Sequence, residues 1–406
     1  MPKNKRPVPR KSASSPEVKD EQNTTELCAL ALDLSDGEAN PDIVAAATRA
    51  DLAQKAIEFQ RLLRRLLTQG KDEVLYGAVE LARDESVDGY RYLKGAIEEG
   101  AANLVLRREG SPEIEIDAFA IPVFVHSQGG LDPAFDFQDS AAYDALLASL
   151  TAAGLESPKA KVVLVSHGYD LEEIERITYG QLHAMVREAV QSLTDKKLVA
   201  APALERSLAQ GWTPTEFALE DSAMEVRFLL GFALKRADDP FYAVPKSEKA
   251  ADAYFAKRAD AYQQWTVDCG PLVARCLGRG RGLDASLTLN FLYQDLFFGA
   301  REQAQAEYAT LQILATVNQA MAGHAPDQLS AIIAPTDVDD DIVLRVQLAA
   351  GGAVLATADK PLDLTADLEV EVDDLRDALA SIGISDISVA LRFDADGQAV
   401  EVRPLA

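Results

Sequence analysis

Between Pro112 and Leu193 the hydrophobic period changes three times, and that succession constrains the fold more than any other feature. "PEIEIDAFAIPVFVH" alternates Glu113, Glu115 and Asp117 with Ile114, Ile116 and Ala118, the period of a strand. "SAAYDALLASLTAAG" reads as a helix, "KVVLVSH" as a buried strand, and "DLEEIERITYGQLHAMVREAVQSL" as one long helix. Strand, helix, strand, helix in this order predicts an α/β (or α+β) fold with a right-handed crossover between two strands of one sheet. Pro122 interrupts the first strand. It lacks the N–H that a ladder needs, which predicts an edge position or a bulge.

The flanks have a different texture. Residues 1–24 are rich in Pro, Ser and Lys without an apolar period and read as a disordered basic tail. Residues 25–100 read as a helical segment, with Leu52, Phe59, Leu63 and Leu66 forming one stripe and Gly70 placed to end that helix. Residues 101–200 then form a first α/β unit and residues 201–406 a second, both with mixed sheets. In the second, "AMEVRFLLGFALKR" is one long strand or two bent at Gly231. "KSEKAADAYFAKRADAYQQWTVDCGPLVARCL" is a helix broken or kinked at Gly270-Pro271. "FLYQDLFF" (Phe291–Phe298) reads as a core strand. "DIVLRVQLAAGGAVLATAD" is a hairpin turning at Gly351-Gly352, and "DADG" (Asp394–Gly397) is another turn.

Charge removes several functions. The 406 residues carry 65 acidic against 40 basic side chains, a net −25, and five of the basic ones fall within the first twelve residues. A body this acidic repels phosphate backbones, so no nucleic acid is expected on the folded part. No run approaches the length of a membrane span and no apolar leader is evident. Cys28, Cys269 and Cys276 are odd in number, without a CxxC, and read as reduced core residues. Together these features predict a soluble cytoplasmic protein with no membrane contact.

"VLRREGSPEIEIDAFAIPVFVHSQGGLDP", "NFLYQDLFFGAREQAQAEY" and "RFDADGQAVEVRP" resemble a bacterial family of unknown function, over most of the chain after residue 25. The resemblance implies one intact cytoplasmic protein. It carries over no activity and no site residues.

Candidate site residues come from two strand ends. His126 precedes Gly129 and Gly130 in "FVHSQGGLD"; His167 precedes Gly168 and Asp170 in "VVLVSHGYD". If both strands run parallel in one sheet, the two histidines share its carboxyl edge, where open α/β sheets bind ligands. The glycines would expose backbone N–H groups, and Asp170 is a good N-cap for the helix that follows. The plainer reading is that each histidine ends a strand and satisfies its nitrogens on loop carbonyls. "HSQGG" has no G-x-S-x-G partner to supply a nucleophile, and no ligand spacing specifies a metal. Arg279 and Arg281 in "LGRGRGLD" could hold a small anion, or simply pair with surface carboxylates. His183 lies about 100° off the apolar stripe of its helix, which predicts exposure. Arg61, Arg64 and Arg65 line one helix flank, and an acidic patch on the same protein is their expected partner.

These readings converge on a non-enzymatic interaction or small-ligand-binding module. It needs no cofactor, takes a protein partner or a small anionic ligand, and is open to forming a homo-oligomer. The alternative is a hydrolase or metal-assisted enzyme whose site bears His126 and His167.

Overall fold

The computed structural model describes residues 16–39, 46–107, 113–128, 140–194, 222–277, 287–339, 341–394 and 396–404. The fold is α+β, in two compact units. The first comprises the described residues up to Asn103 together with Thr178–Ala184; the second holds the other described residues.

The first unit contains α1 (Pro16–Ala39), α2 (Ala46–Gln69), α3 (Asp72–Glu85) and α4 (Val87–Ala102). Residues 16–24 are therefore helical, where a disordered tail was expected from their composition. Their neighbours explain the difference: Leu27, Cys28, Ala31 and Leu34 of α1 are buried, and a buried helix extends outward from such an anchor. Phe59, Leu62, Leu63, Leu66 and Leu67 give α2 its buried stripe. Gly70 ends α2 with a φ of 61°, a left-handed value that costs glycine nothing. Ser86 separates α3 from α4 and caps the latter, its Oγ accepting from Gly89 N at 3.2 Å.

The expected long helix after Asp170 is two helices, α6 (Leu171–Glu175) and α7 (Tyr179–Thr194). Each has its own cap. Asp170 and Glu173 form a reciprocal capping box at α6. Thr178 Oγ1 accepts from Gln181 N, and Gln181 Oε1 accepts from Thr178 N, at α7. Within the first unit, the Asp72 carboxylate accepts from Thr178 Oγ1 and Gly180 N, both at 2.8 Å. His183 is buried there, its Nδ1 3.1 Å from the Gly100 carbonyl, which corrects the expected exposure. This end of α7 buries a second face, so a single apolar stripe did not describe it.

The second unit is built on a six-stranded sheet. It joins β1 (Asn103–Leu106), β2 (Ile114–Gln128), β3 (Lys161–Asp170), β4 (Ser222–Arg236), β5 (Leu287–Phe291) and β6 (Asp295–Leu296). Strand β4 runs unbroken and sits between β2 and β3, antiparallel to both. So β2 and β3 do run parallel in one sheet, but they are not neighbours. The boundary expected near residue 200 does not divide two sheets, because β4 belongs to the sheet of β2. Gly231 is at the centre of β4, where an added Cβ would lie 2.3 Å from the Phe119 ring. That close approach, and not a bend, accounts for the glycine.

Pro122 is also not at an edge. It pairs with Phe228 of β4, and its carbonyl accepts from Leu292 N on the other side. Residues 292–294 there separate β5 from β6, so the missing N–H falls where the neighbouring ladder is already interrupted. "FLYQDLFF" divides accordingly. It ends β5, forms β6, and starts α9 (Phe297–Ala320) at two buried phenylalanines.

Phe119, Ile121, Val123 and Val125 pack with Leu146 and Leu150 of α5 (Ser140–Ala152) and with Trp265, Cys269 and Val273 of α8 (Glu248–Leu277). Helix α8 passes through Pro271 without breaking. The carbonyl that loses its partner there belongs to Val267, which is 72% exposed, and water can replace the bond. The far half of α9 packs through Ile313 and Val317 on a second, five-stranded sheet ordered β13-β10-β7-β8-β9, together with α10 (Leu368–Ser381). Its strands are β7 (Leu329–Val338), β8 (Asp341–Ala350), β9 (Ala353–Pro361), β10 (Asp386–Val389) and β13 (Arg403–Pro404). The β8–β9 turn uses Gly351 and Gly352 at φ 57° and 83°, and Gly397 turns the small β11–β12 hairpin (Arg392–Phe393, Ala399–Val400).

Candidate functional site

The sequence candidates separate in space. Gly129, Gly130, Arg279 and Arg281 lie outside the described residues. His126 is exposed near the end of β2, opposite Met224 of β4 and Thr288 of β5. His167 does not end its strand: β3 continues to Asp170, after a register shift between Leu164 and Gly168. Gly168 opposes Leu229, five residues along β4 from Met224. With ~3.3 Å per residue and two interstrand spacings of ~4.8 Å, the backbones at His126 and Gly168 are roughly 19 Å apart. The strand positions that carry the two histidines therefore stand well apart on the sheet.

What gathers at the end of β3 is a charged cluster. Asp170 opposes Arg227, and Glu225 is two residues away on the same face of β4. The Arg227 side chain is 2% exposed. Its guanidinium lies 3.1 Å from Glu225, 3.7 Å from Asp170 and 4.0 Å from Glu173, and donates to the Gly168 carbonyl at 3.4 Å. Burial lowers the Arg227 pKa to about 10, against the pull of Glu225, Asp170 and Glu173, and it stays a cation at neutral pH. Burial raises Glu225 to about 7; Arg227 opposes that shift and Asp170 adds to it. An anion approaching Arg227 meets Asp170 and Glu225, its more exposed partners, first. The cluster thus joins the start of α6 to the sheet and is not built to bind an anionic ligand. Its sequence signal was the pair Glu225 and Arg227, set two apart among the apolar residues of β4, which places both on one strand face.

A second arrangement in this unit ties the α5–β3 turn to the residues after β4. Ser157 Oγ donates to Asp239 at 2.7 Å, Tyr242 Oη donates to Glu156 at 2.7 Å, and Ser157 N donates to Tyr242 Oη. Ser157, Glu156 and Asp239 are buried, so this network is a fastening and no reactive hydroxyl is presented.

One exposed charged face of the first unit lies on α2. Opposite its buried stripe, Ile57, Gln60, Arg61, Arg64, Arg65 and Thr68 line a shallow concavity of about 720 Å³. Ile57 is 55% exposed. Arg65 donates to Asn23 at 2.8 Å, whereas Arg61 and Arg64 meet no carboxylate among the described residues. The acidic partner expected for them on the same molecule is not found there. This face was visible in "QRLLRRLL", whose arginines fall on the flank away from the leucines.

A family described as a protein of unknown function (DUF2863) matches residues 39–352, well over half of the chain, and the chain belongs to it. The match ends in the turn between β8 and β9. No curated protein and no solved structure matches this chain.

Proposed function

We propose that this protein is a non-enzymatic interaction module whose helical unit docks a carboxylate-rich protein surface through the outer face of α2. One observation carries the reading. In a chain with a net charge of −25, Arg61 and Arg64 meet no carboxylate among the described residues and stand beside an exposed isoleucine in a concavity. Guanidinium groups next to one aliphatic anchor are the chemistry of a protein interface. A bacterial origin and a cytoplasmic location complete the reading. The latter is supported by the free, buried thiols of Cys28 and Cys269, and no described helix is long and apolar enough to cross a membrane. The test is a photo-cross-linking residue placed at Thr68 in cells, with and without Arg61→Glu and Arg64→Glu. The expected result is an adduct that the two reversals abolish. An adduct that persists, or none at all, refutes the reading.

A further inference from the structure

We infer that the surface docking on the α2 face belongs to a second copy of this chain, and that it is the acidic groove between α1 and α3; this inference rests on the interaction-module reading. The groove has a volume of about 410 Å³ and is lined by Glu17, Asp20, Glu21 and Glu73, with Leu81 41% exposed at its side. Lys71 holds Asp20 at 2.8 Å, while Glu17, Glu21 and Glu73 meet no cation among the described residues. The two faces therefore match in kind. One sets arginines around Ile57, and the other sets carboxylates without a cation among the described residues around Leu81. Both are built from the first unit alone.

Other occupants fit less well. Three arginines on an acidic body neutralise too little of a phosphate backbone to hold it. One large exposed aliphatic residue is too little apolar surface to enter a bilayer. Two copies at net −25 repel, but at physiological salt that repulsion is screened beyond ~8 Å, leaving the charges in contact to decide. Pairing α2 of each copy with the groove of the other uses both faces twice and closes the assembly by two-fold symmetry.

The test uses the full chain, with mass measured by light scattering over a wide concentration range. Wild type associates. Arg61→Glu with Arg64→Glu, and separately Glu17→Lys with Glu21→Lys, each sets like charges together and weakens association by about tenfold or more. Far-ultraviolet circular dichroism and melting curves show that each variant remains folded. An equimolar mixture of the two variants regains association, because in the mixed pair every face meets its opposite charge. A wild type that stays monomeric overturns the inference, as do variants that associate like wild type or a mixture that regains nothing. If the protein is monomeric yet the Thr68 cross-linker still captures a different chain in a reversal-sensitive way, the second-copy inference fails and the interaction-module reading survives.

Discussion

Replacing Arg227 with methionine leaves a side chain of similar length and removes the cation that, among the described residues, faces Glu225, Asp170 and Glu173. At an effective dielectric of about 20, each of the three ion pairs at 3.1–4.0 Å supplies about 4–5 kcal/mol of gross attraction. Desolvation of a guanidinium that is almost wholly buried offsets most of that sum. Removing one partner is asymmetric, however, because Glu173 stays buried and Asp170 and Glu225 remain beside it. The expected loss at pH 7.5 is about 3–5 kcal/mol. The loss should shrink at pH 5.5, where Glu225, held near 7, binds a proton and one of the three negative charges disappears. Urea unfolding followed by tryptophan fluorescence, with Trp265 buried in the same unit, measures both values. A cost below about 1 kcal/mol at pH 7.5, or one that does not fall with pH, would refute the account of the cluster.

Three further outcomes are expected. Glu225 has its folded pKa raised from 4.5 to about 7, so its contribution is fully present below 4.5 and is lost as pH rises through 7. Glu225→Gln should remove about 2 kcal/mol of that pH dependence, a figure discounted for a side chain one fifth exposed; stability curves from pH 4.5 to 8 that remain parallel would contradict it. Gly231→Ala should cost about 1–3 kcal/mol by forcing the Phe119 ring aside, and Phe119→Leu in the same chain should recover part of the loss in a thermal melt. Asp72→Ala removes two hydrogen bonds at the start of α7 and should cost about 1–2 kcal/mol, with faster hydrogen exchange at residues 178–184 and unchanged exchange in β4.

Periodicity located most elements because it reports local geometry. The α2 stripe, the strands through "IEIDAFAIPVFVH" and "KVVLVSH", and the glycine hairpin at 351–352 are each set by residues within a few positions of one another. The break between α6 and α7 is also a local signal. Asp170-x-x-Glu173 and Thr178-x-x-Gln181 are two capping boxes eight residues apart, which already divide α6 from α7. The arginine face of α2 could likewise be read from spacing alone.

Other features depended on pairing across long sequence separations. Which strand lies beside which decided that β4 enters between β2 and β3, and this carried the backbones at His126 and Gly168 roughly 19 Å apart. Register across more than fifty residues set Asp170 against Arg227 and so created the buried cluster around that guanidinium. Burial of His183 required helices from two parts of the chain to meet around it. The sequence by itself determined the elements and their outward chemistry, since propensity, capping and amphipathic spacing act over a few residues. Tertiary structure alone decided which titratable groups meet, because that depends on the order and register of strands brought together from distant parts of the chain.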